Sequence, residues 1–231
     1  MHDHHVRLTI VGLLAIALCL GASAAASPIT LYNTGVTSPN NPDGTNSTVI
    51  TTSKAIDTHY TVLSTPAGPT TGMPNAAVDD GQQGNYYRDG NSNYVNDLGG
   101  STNEPAGDYQ YRTTFDLAGF NPSSAAISGI VYCDDQAEAV LLNGIVIAGP
   151  GPASGFPDAG AGLDFSASTG FVAGINTLDF IIDNDLIHGD EESVTALDVT
   201  DLAGTASVPE PVSGAMIAAG ALLHFARRSL R

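Results

Sequence analysis

The nine residues Tyr109–Leu117 alternate between apolar and polar side chains, and this period of two constrains the fold more than any other feature of the chain. The apolar members share one face of an extended chain: Tyr109, Tyr111, Phe115 and Leu117. The opposite face is polar: Gln110, Arg112 and Asp116. Leu178, Phe180 and Ile182 repeat the alternation further along the chain. The pattern predicts two half-buried β-strands, each with one face on a core.

A two-residue turn is predicted at Asn143-Gly144, which separates the apolar stretches Val140–Leu142 and Ile145–Ile147. An Asn-Gly pair is typical of a hairpin turn because both residues tolerate a positive φ. The run Ile127–Cys133, apolar apart from Ser128, fits a strand inside a sandwich. Weaker strand patterns lie near residues 49–50, 60–62, 94–95 and 197–199.

These short strands are separated by turn-forming residues, and no stretch between the termini has a helical period long enough to compete with them. We therefore predict an all-β fold, a single antiparallel β-sandwich of the jelly-roll type over residues 27–205. The predicted core takes apolar residues from these strands: Phe115, Leu117, Val131, Cys133, Leu141, Leu178, Phe180 and Ile182.

The middle of the chain is strongly acidic. Residues 25–207 include 22 acidic and three basic side chains, a formal charge of −19. Such a surface repels nucleic acid phosphates and anionic membrane, so neither is expected as a partner of this region.

The first 26 residues have the three parts of a secretory signal peptide and are expected to form a signal helix. A polar, weakly basic start, Met1–Arg7, precedes the uncharged run Leu8–Leu20 and the small residues Gly21–Ala26. The uncharged run has 13 residues, shorter than the roughly 20 of a stable membrane span. Cleavage removes Cys19 and leaves Cys133 alone, so no intramolecular disulfide is expected.

The C-terminus, residues 208–231, also has three parts. Val208-Pro209-Glu210-Pro211 is followed by the apolar stretch Val212–Ala226 and by a basic end that begins at Arg227-Arg228. Basic residues after an apolar helix stay in the cytoplasm, so this segment predicts a transmembrane helix that anchors an exported domain. The alternative is an amphipathic helix packed on the domain, although Ser213 and His224 are its only polar residues.

This order of parts resembles the PEP-CTERM sorting signal. The resemblance implies recognition by an exosortase, a membrane transpeptidase that acts at Pro209, Glu210 and Pro211, with Arg227 and Arg228 as the basic end. It also implies a Gram-negative bacterium that makes exopolysaccharide. The protein is then expected to be exported, and either anchored at the cell surface or released after the tail is processed.

The middle region, over roughly residues 107–184, is similar to galactose-binding-like jelly rolls, which include sugar-binding modules that accompany glycoside hydrolases. The similarity rests on four segments in order: Tyr111–Leu117, Ile127–Asp135, Leu142–Gly144 and Gly174–Phe180. It implies that Asn143, Gly144, Gly174 and Asn176 form turns and do not bind a ligand.

The densest acidic stretch offers candidate calcium ligands: Asp183, Asp185, Asp190 and Glu191. Calcium takes six to eight oxygen ligands, and this stretch supplies several without matching an EF-hand. A solvated loop explains the same residues. Asp134-Asp135 with Glu138 is likewise either a calcium-binding edge or the polar end of a strand. No other cofactor is expected.

Candidate sugar contacts are Tyr86, Tyr87 and Tyr94, which lie in an Asn- and Gly-rich stretch of a chain without tryptophan. Exposed aromatic rings stack on sugars, whereas buried tyrosines cap a core with their hydroxyls in water, and both interpretations stay open.

No catalytic motif is recognisable. His59 and His188 are the only histidines of the middle region, and no spacing marks a carboxylate pair. We therefore expect a non-catalytic cell-surface or extracellular-matrix protein associated with exopolysaccharide or another glycan. The alternatives are a secreted glycan-active enzyme and a calcium-binding structural matrix protein.

Overall fold

A computed structural model describes residues 25–72, 75–78, 86–97, 104–152, 162–184 and 195–209. Within these ranges Ala26–Ser207 form one compact body of 12 strands, and no helix occurs. The strands are β1 (Ala26–Pro28), β2 (Ile56–Thr65), β3 (Gly68–Pro69), β4 (Asn75–Val78), β5 (Val95–Asn96), β6 (Gly107–Asp116), β7 (Asn121–Asp134), β8 (Gln136–Leu142), β9 (Ile145–Ala148), β10 (Leu163–Ala167), β11 (Ile175–Asn184) and β12 (Ala196–Ser207).

The strands form one antiparallel sheet in the order β10-β7-β12-β5-β4-β2-β6-β11-β8-β9, with β1 added to β12 and β3 to β2. The two edge strands, β9 and β10, come into contact, so the sheet nearly closes into a barrel or sandwich. The inner faces then enclose one apolar core. The all-β antiparallel prediction is confirmed. The expected terminal helices lie outside the described residues.

The alternating segments form neighbouring strands, as their period predicts. In β6 and β11, Tyr111 lies opposite Phe180, and both side chains are fully buried. On the outer face Arg112 lies opposite Asp179 and donates to it from Nε at 2.5 Å and from Nη2 at 2.7 Å. Asp179 is buried by this contact, so the face expected to meet solvent is partly closed by a bidentate ion pair.

The predicted core is confirmed except at Leu141, where the prediction is wrong. β8 pairs with β11 so that Val140 lies opposite Phe180 and Leu142 lies opposite Leu178. Because neighbouring residues of a strand point to opposite faces, Val140 and Leu142 enter the core and Leu141 lies opposite Asp179 on the outer face. Leu141 is half-buried there.

The predicted hairpin joins β8 to β9. Asn143 and Gly144 have φ values of 51° and 80°, which is the type I′ geometry that Asn-Gly favours. The Asn143 amide also accepts from the Thr177 N–H at 2.9 Å and donates to the Asn176 side chain at 2.8 Å. Asn143 is a turn former, as expected. Asn176 is a residue of β11, and its side chain holds the loop before this strand by accepting from the Val172 N–H at 2.9 Å and donating to the Gly174 carbonyl at 2.9 Å.

Residues 31–50 have almost no strand structure, and their first part runs beside β12, where the Thr34 N–H donates to the Val199 carbonyl at 3.0 Å. Leu31 belongs to the apolar core. The expected strand at residues 49–50 is a single bridge from Val49 to Val36. Side-chain amides replace the ladder: Asn33 donates to the Gly44 carbonyl at 3.0 Å, and Asn40 donates to the Leu202 carbonyl at 2.8 Å. Buried polar backbone is thereby satisfied without a regular sheet.

Candidate functional site

The outer face of β12 is polar and is covered over part of its length. Asp198 and Thr200 lie opposite Tyr132 and Ile130 of β7 and point away from the core. The Thr34 hydroxyl donates to Asp198 Oδ1 at 2.8 Å, and the Thr200 hydroxyl donates to Asp89 Oδ2 at 2.6 Å. Thr34 and the segment 86–94 therefore cover this face through polar side chains.

Beside this cover the outer face is open and forms a groove of about 330 Å³. The groove is lined by residues of β7, β10 and β12: Ser128, Gly129, Ile130, Asp164, Phe165, Ser166 and Asp201. Asp164 lies opposite Ile130, and Ser166 lies opposite Ser128. A carboxylate, two hydroxyls and an aliphatic side chain therefore share one outward face. We call this feature the outer groove.

Asp201 contributes a second carboxylate to the outer groove from an irregular position. The register of β12 against β7 shifts between Thr200 and Ala203, and Asp201 has a φ of 51°. The backbone of Asp201 lies so close to Gly44 that a side chain at position 44 would come within 2.5 Å of it. Burial raises the pKa of Asp201, and the charges of Asp89 and Asp43 add to this rise.

The three candidate tyrosines lie beside the outer groove, but two of them are inside the protein. Tyr94 is fully buried, Tyr86 is 5% exposed, and their ring centroids are 4.7 Å apart. The Tyr86 hydroxyl donates to Asp134, and the Tyr94 hydroxyl donates to the Tyr87 carbonyl at 3.0 Å. The core-capping interpretation expected these hydroxyls to lie in water, and neither of them does. Neither ring offers a face to a sugar in this conformation.

Tyr87 is the candidate tyrosine that is only half-buried. Its ring lies 4.9 Å from that of Tyr132, which follows Ile130 on the outward face of β7. Burial raises the pKa of Tyr132, with further contributions from Tyr87, Asp89, Asp198 and Asp164. Tyr87 and Tyr132 therefore border the acidic outer groove on one side.

A second acidic region lies where β7, β11 and β12 meet at one end of the body. The Asp135 N–H donates to the Asp183 carbonyl at 3.1 Å, and Asp134 lies opposite Ala196. Burial, together with the contacts with Asp135, raises the pKa of Asp134 to about 8, while the Tyr86 hydroxyl opposes the rise. Asp134 and Asp135 are both buried and do not form an exposed edge.

Asp183 is the described member of the calcium set, and it is half-buried at the end of β11. Asp185, Asp190 and Glu191 lie outside the described residues, as does His188. Within the described ranges no three His, Cys, Asp or Glu side chains are grouped so that they could hold a metal ion.

The remaining reactive side chains have structural surroundings. His59 stacks on Tyr32 with ring centroids 3.7 Å apart, and its Nδ1 lies 3.4 Å from Asp57. Cys133 is a free, buried cysteine, as the sequence predicted, and burial raises the pKa of its thiol. A protonated, enclosed thiol is a poor nucleophile.

The structure describes Pro209 of the sorting motif. The rest of the motif lies outside the described residues: Glu210, Pro211, Arg227 and Arg228. The predicted leader lies outside them as well. In the part of the chain that the structure describes, no helix has the length and apolar character needed to cross a membrane.

Sequence reasoning did not identify the outer groove. A signal for it exists in two places: Ser128 interrupts the apolar run of β7, and Asp164-Phe165-Ser166 alternates polar and apolar side chains. Each pattern alone indicates only an exposed strand face.

No family model, no curated protein and no solved structure gives a significant match to this chain.

Proposed function

We propose that this chain is an exported, non-catalytic surface or matrix protein whose body associates with the exopolysaccharide of its own cell. In this proposal an exosortase recognises Pro209, Glu210 and Pro211, and the apolar segment before Arg227 and Arg228 spans the membrane. The layout of both chain ends supports export. The order of the segments between residues 107 and 184 supports a jelly-roll body of the galactose-binding-like type.

The single observation that carries the glycan proposal is the outer groove. Asp164 and Asp201 offer charged acceptors to sugar hydroxyls, and hydrogen bonds to charged groups are the stronger ones. Ser128 and Ser166 both donate and accept, and Ile130 offers an apolar contact to the C–H face of a sugar ring. The volume lies at the lower end of the range for ligand pockets, so it suits a short stretch of polymer.

A weak contact of this kind is enough to bind a polymer. A polysaccharide presents the same unit many times, so several copies of the protein on one surface bind the same chain with a high effective concentration. The half-exposed ring of Tyr87 extends the contact beyond the outer groove.

The non-catalytic part of the proposal rests on the location of the carboxyls whose pKa is raised. Hydrolysis of a glycosidic bond needs one protonated and one ionised carboxyl on opposite sides of the substrate. Burial raises the pKa of Asp134 to about 8 and that of Asp198 to about 7, but both groups are enclosed beneath residues 86–94. A secreted glycan-active enzyme stays the alternative, and detectable release of reducing ends would favour it.

Calcium binding by a structural matrix protein is the second candidate. The observation that favours it is the concentration of carboxyls around Asp183, from which the stretch with Asp185, Asp190 and Glu191 continues. Calcium would then link the protein to acidic polymer through oxygen ligands, with no sugar groove required.

One experiment separates these proposals: binding of the purified full chain to a panel of bacterial exopolysaccharides, with calcium and with a chelator. We expect Asp164→Asn and Asp201→Asn each to weaken binding by about tenfold, because each removes one charge-assisted hydrogen bond of about 1.5 kcal/mol. Tyr87→Ala should weaken binding also, and the chelator should have no effect.

Asp108→Asn is the matched control, since Asp108 is an exposed carboxylate outside the outer groove and its replacement should leave binding unchanged. Binding that disappears with chelator and ignores the groove variants would favour the calcium proposal. Absence of binding to every polymer in both conditions would contradict the association with glycan.

A further inference from the structure

Both ends of the described body leave from the same place. β1 pairs with the last residues of β12, so that Ala26 lies opposite Ser207. Ser207 in turn lies opposite Asn121, the first residue of β7, and its hydroxyl contacts that of Ser124 at 2.7 Å. The leader side and the tail side of the chain therefore meet at the end of the body where β12 finishes.

Three loops surround this exit. The turn at residues 117–120 joins β6 to β7, and the Leu117 N–H donates to the Gly174 carbonyl at 2.9 Å in the loop before β11. That loop is joined to the β8–β9 turn because the Asn143 amide donates to the Gly170 carbonyl at 2.9 Å. The contacts hold the three loops and the two chain ends together as one end of the body.

This end exposes aliphatic side chains. Ile145, Val146 and Ile175 are each 60% exposed, and Val172 is 48% exposed. Within the described part of the body, Ala26–Ser207, Ile56 is the one other large hydrophobic side chain with comparable exposure. A concentration of exposed apolar side chains marks an interaction surface more often than a single exposed residue does. We call this surface the apolar end.

The apolar end is also nearly free of charge. Its segments 25–30, 116–124, 142–148, 167–176 and 203–209 contain a single ionisable side chain, that of Asp116. The carboxyls of Asp134, Asp135 and Asp183 lie at the other ends of β7 and β11. Among the described acidic residues, Asp116 is therefore the one in these segments, where it lies opposite Ile175.

The tail leaves little distance between this end and the membrane. Four residues, Val208–Pro211, separate β12 from the apolar segment that begins at Val212. Fully extended, four residues span at most about 14 Å. If the apolar segment enters the bilayer, the apolar end is the part of the body that faces the headgroups.

We propose that the apolar end rests on the lipid headgroup region of the membrane that holds the tail, and inserts Ile145, Val146, Val172 and Ile175 into its interface. The inference depends on the anchor in the proposed function and adds the orientation of the body. Aliphatic side chains gain free energy by leaving water at a bilayer interface, and the near absence of acidic groups avoids repulsion by anionic lipid. The acidic end then points away from the membrane.

The test uses the mature chain of the proposed function, residues 27–231, reconstituted in phosphatidylcholine vesicles that contain a nitroxide-labelled lipid; without Leu8–Leu20, flotation reports on the tail. Val172→Cys carries an environment-sensitive fluorophore, and Asp108→Cys at the start of β6 is the matched control. Cys133 does not compete for the label because it is buried. We expect at least a twofold stronger nitroxide quenching at position 172 than at position 108.

Two further results separate the anchor from the orientation. Vesicles that float with the protein while both labels stay unquenched would overturn the proposed docking and leave the anchor standing. Protein that does not float with vesicles would overturn both. In a chain that also carries Ile145→Ser and Ile175→Ser, flotation should persist and quenching at position 172 should fall; unchanged quenching in this variant would contradict a role of these side chains.

Discussion

At the scale of single residues, the body holds carboxyls in places where their charge is unfavourable. Asp198 is 2% exposed, and burial raises its pKa to about 7, although the Thr34 hydroxyl opposes the rise by donating to it. Desolvation penalises the charged form of a carboxyl, so the folded protein favours a protonated Asp198 over much of the acidic range. The cover over β12 is thereby linked to pH.

The sign of this linkage is testable. A folded pKa of about 7, above the roughly 3.9 of an unfolded aspartate, means that the folded state binds the proton more tightly. The free energy of unfolding should therefore fall as the pH rises from about 4 to 8, by on the order of 4 kcal/mol for this group. Asp198→Asn stays neutral, so its denaturation midpoint by circular dichroism should decline less over that range.

The control for that measurement is Asp108→Asn, because Asp108 is exposed and its loss should leave the slope of the wild-type chain unchanged. Parallel pH profiles for the wild type and Asp198→Asn would show that ionisation of Asp198 does not govern the stability of the cover.

At the scale of elements, the neighbouring strands β6, β11 and β8 bring their buried side chains together around Phe180. Phe180 of β11 lies between Tyr111 and Val140 in the sheet, and its ring centroid is 6.0 Å from that of Phe165 and 6.2 Å from that of Tyr60. Side chains from four strands thus meet at Phe180. A ring in this position contributes both transfer free energy and cross-strand contacts.

Truncation of neighbouring residues in β8 tests the register. Leu142→Ala should lower the free energy of unfolding by about 2–5 kcal/mol, because Leu142 is fully buried and leaves a cavity. Leu141→Ala removes the same atoms from the half-buried outer face and should cost less than about 1.5 kcal/mol. Phe180→Ala should cost about 3–5 kcal/mol. Equal costs at positions 141 and 142 in urea denaturation would contradict this pairing.

At the scale of the whole molecule, the body has two unlike ends and a groove on its side. The chain exits lie at the apolar end, and Asp134, Asp135 and Asp183 lie at the other. The outer groove is formed by β7, β10 and the bulge of β12, on the outer face of the sheet between these ends. In the anchored form that we propose, the outer groove is open to polymer beside the cell surface.

Maturation of the chain is the prediction at this scale. Mass spectrometry of the protein from its native cell should show loss of about the first 26 residues, because the leader has the layout of a signal peptide. Processing of the tail should stop in a Glu210→Ala variant, whereas Asp108→Asn should be processed as the wild type is. Recovery of intact full-length chain from the cytoplasm would contradict export.

The candidate site was the least predictable part of the protein. The sequence named Tyr86, Tyr87 and Tyr94 together, and burial separates them, because residues 86–94 lie over the outer face of β12 and two of the rings fill the space between. The outer groove joins Ser128, Asp164 and Asp201, which belong to three strands. No local sequence pattern predicts that these distant strands pair.

By itself the sequence determined the features that local chemistry controls. The period of two specified β6 and β11, and Asn143-Gly144 specified the β8–β9 hairpin, because strand alternation and positive φ act over a few residues. The inward face of β8, the cover over β12, the outer groove and the apolar end were decided only by the tertiary structure. Each depends on which distant strands pair: β12 with β7 and β1, and β11 with β6 and β8. A shift of one residue in any of these ladders would exchange the buried face for the exposed one.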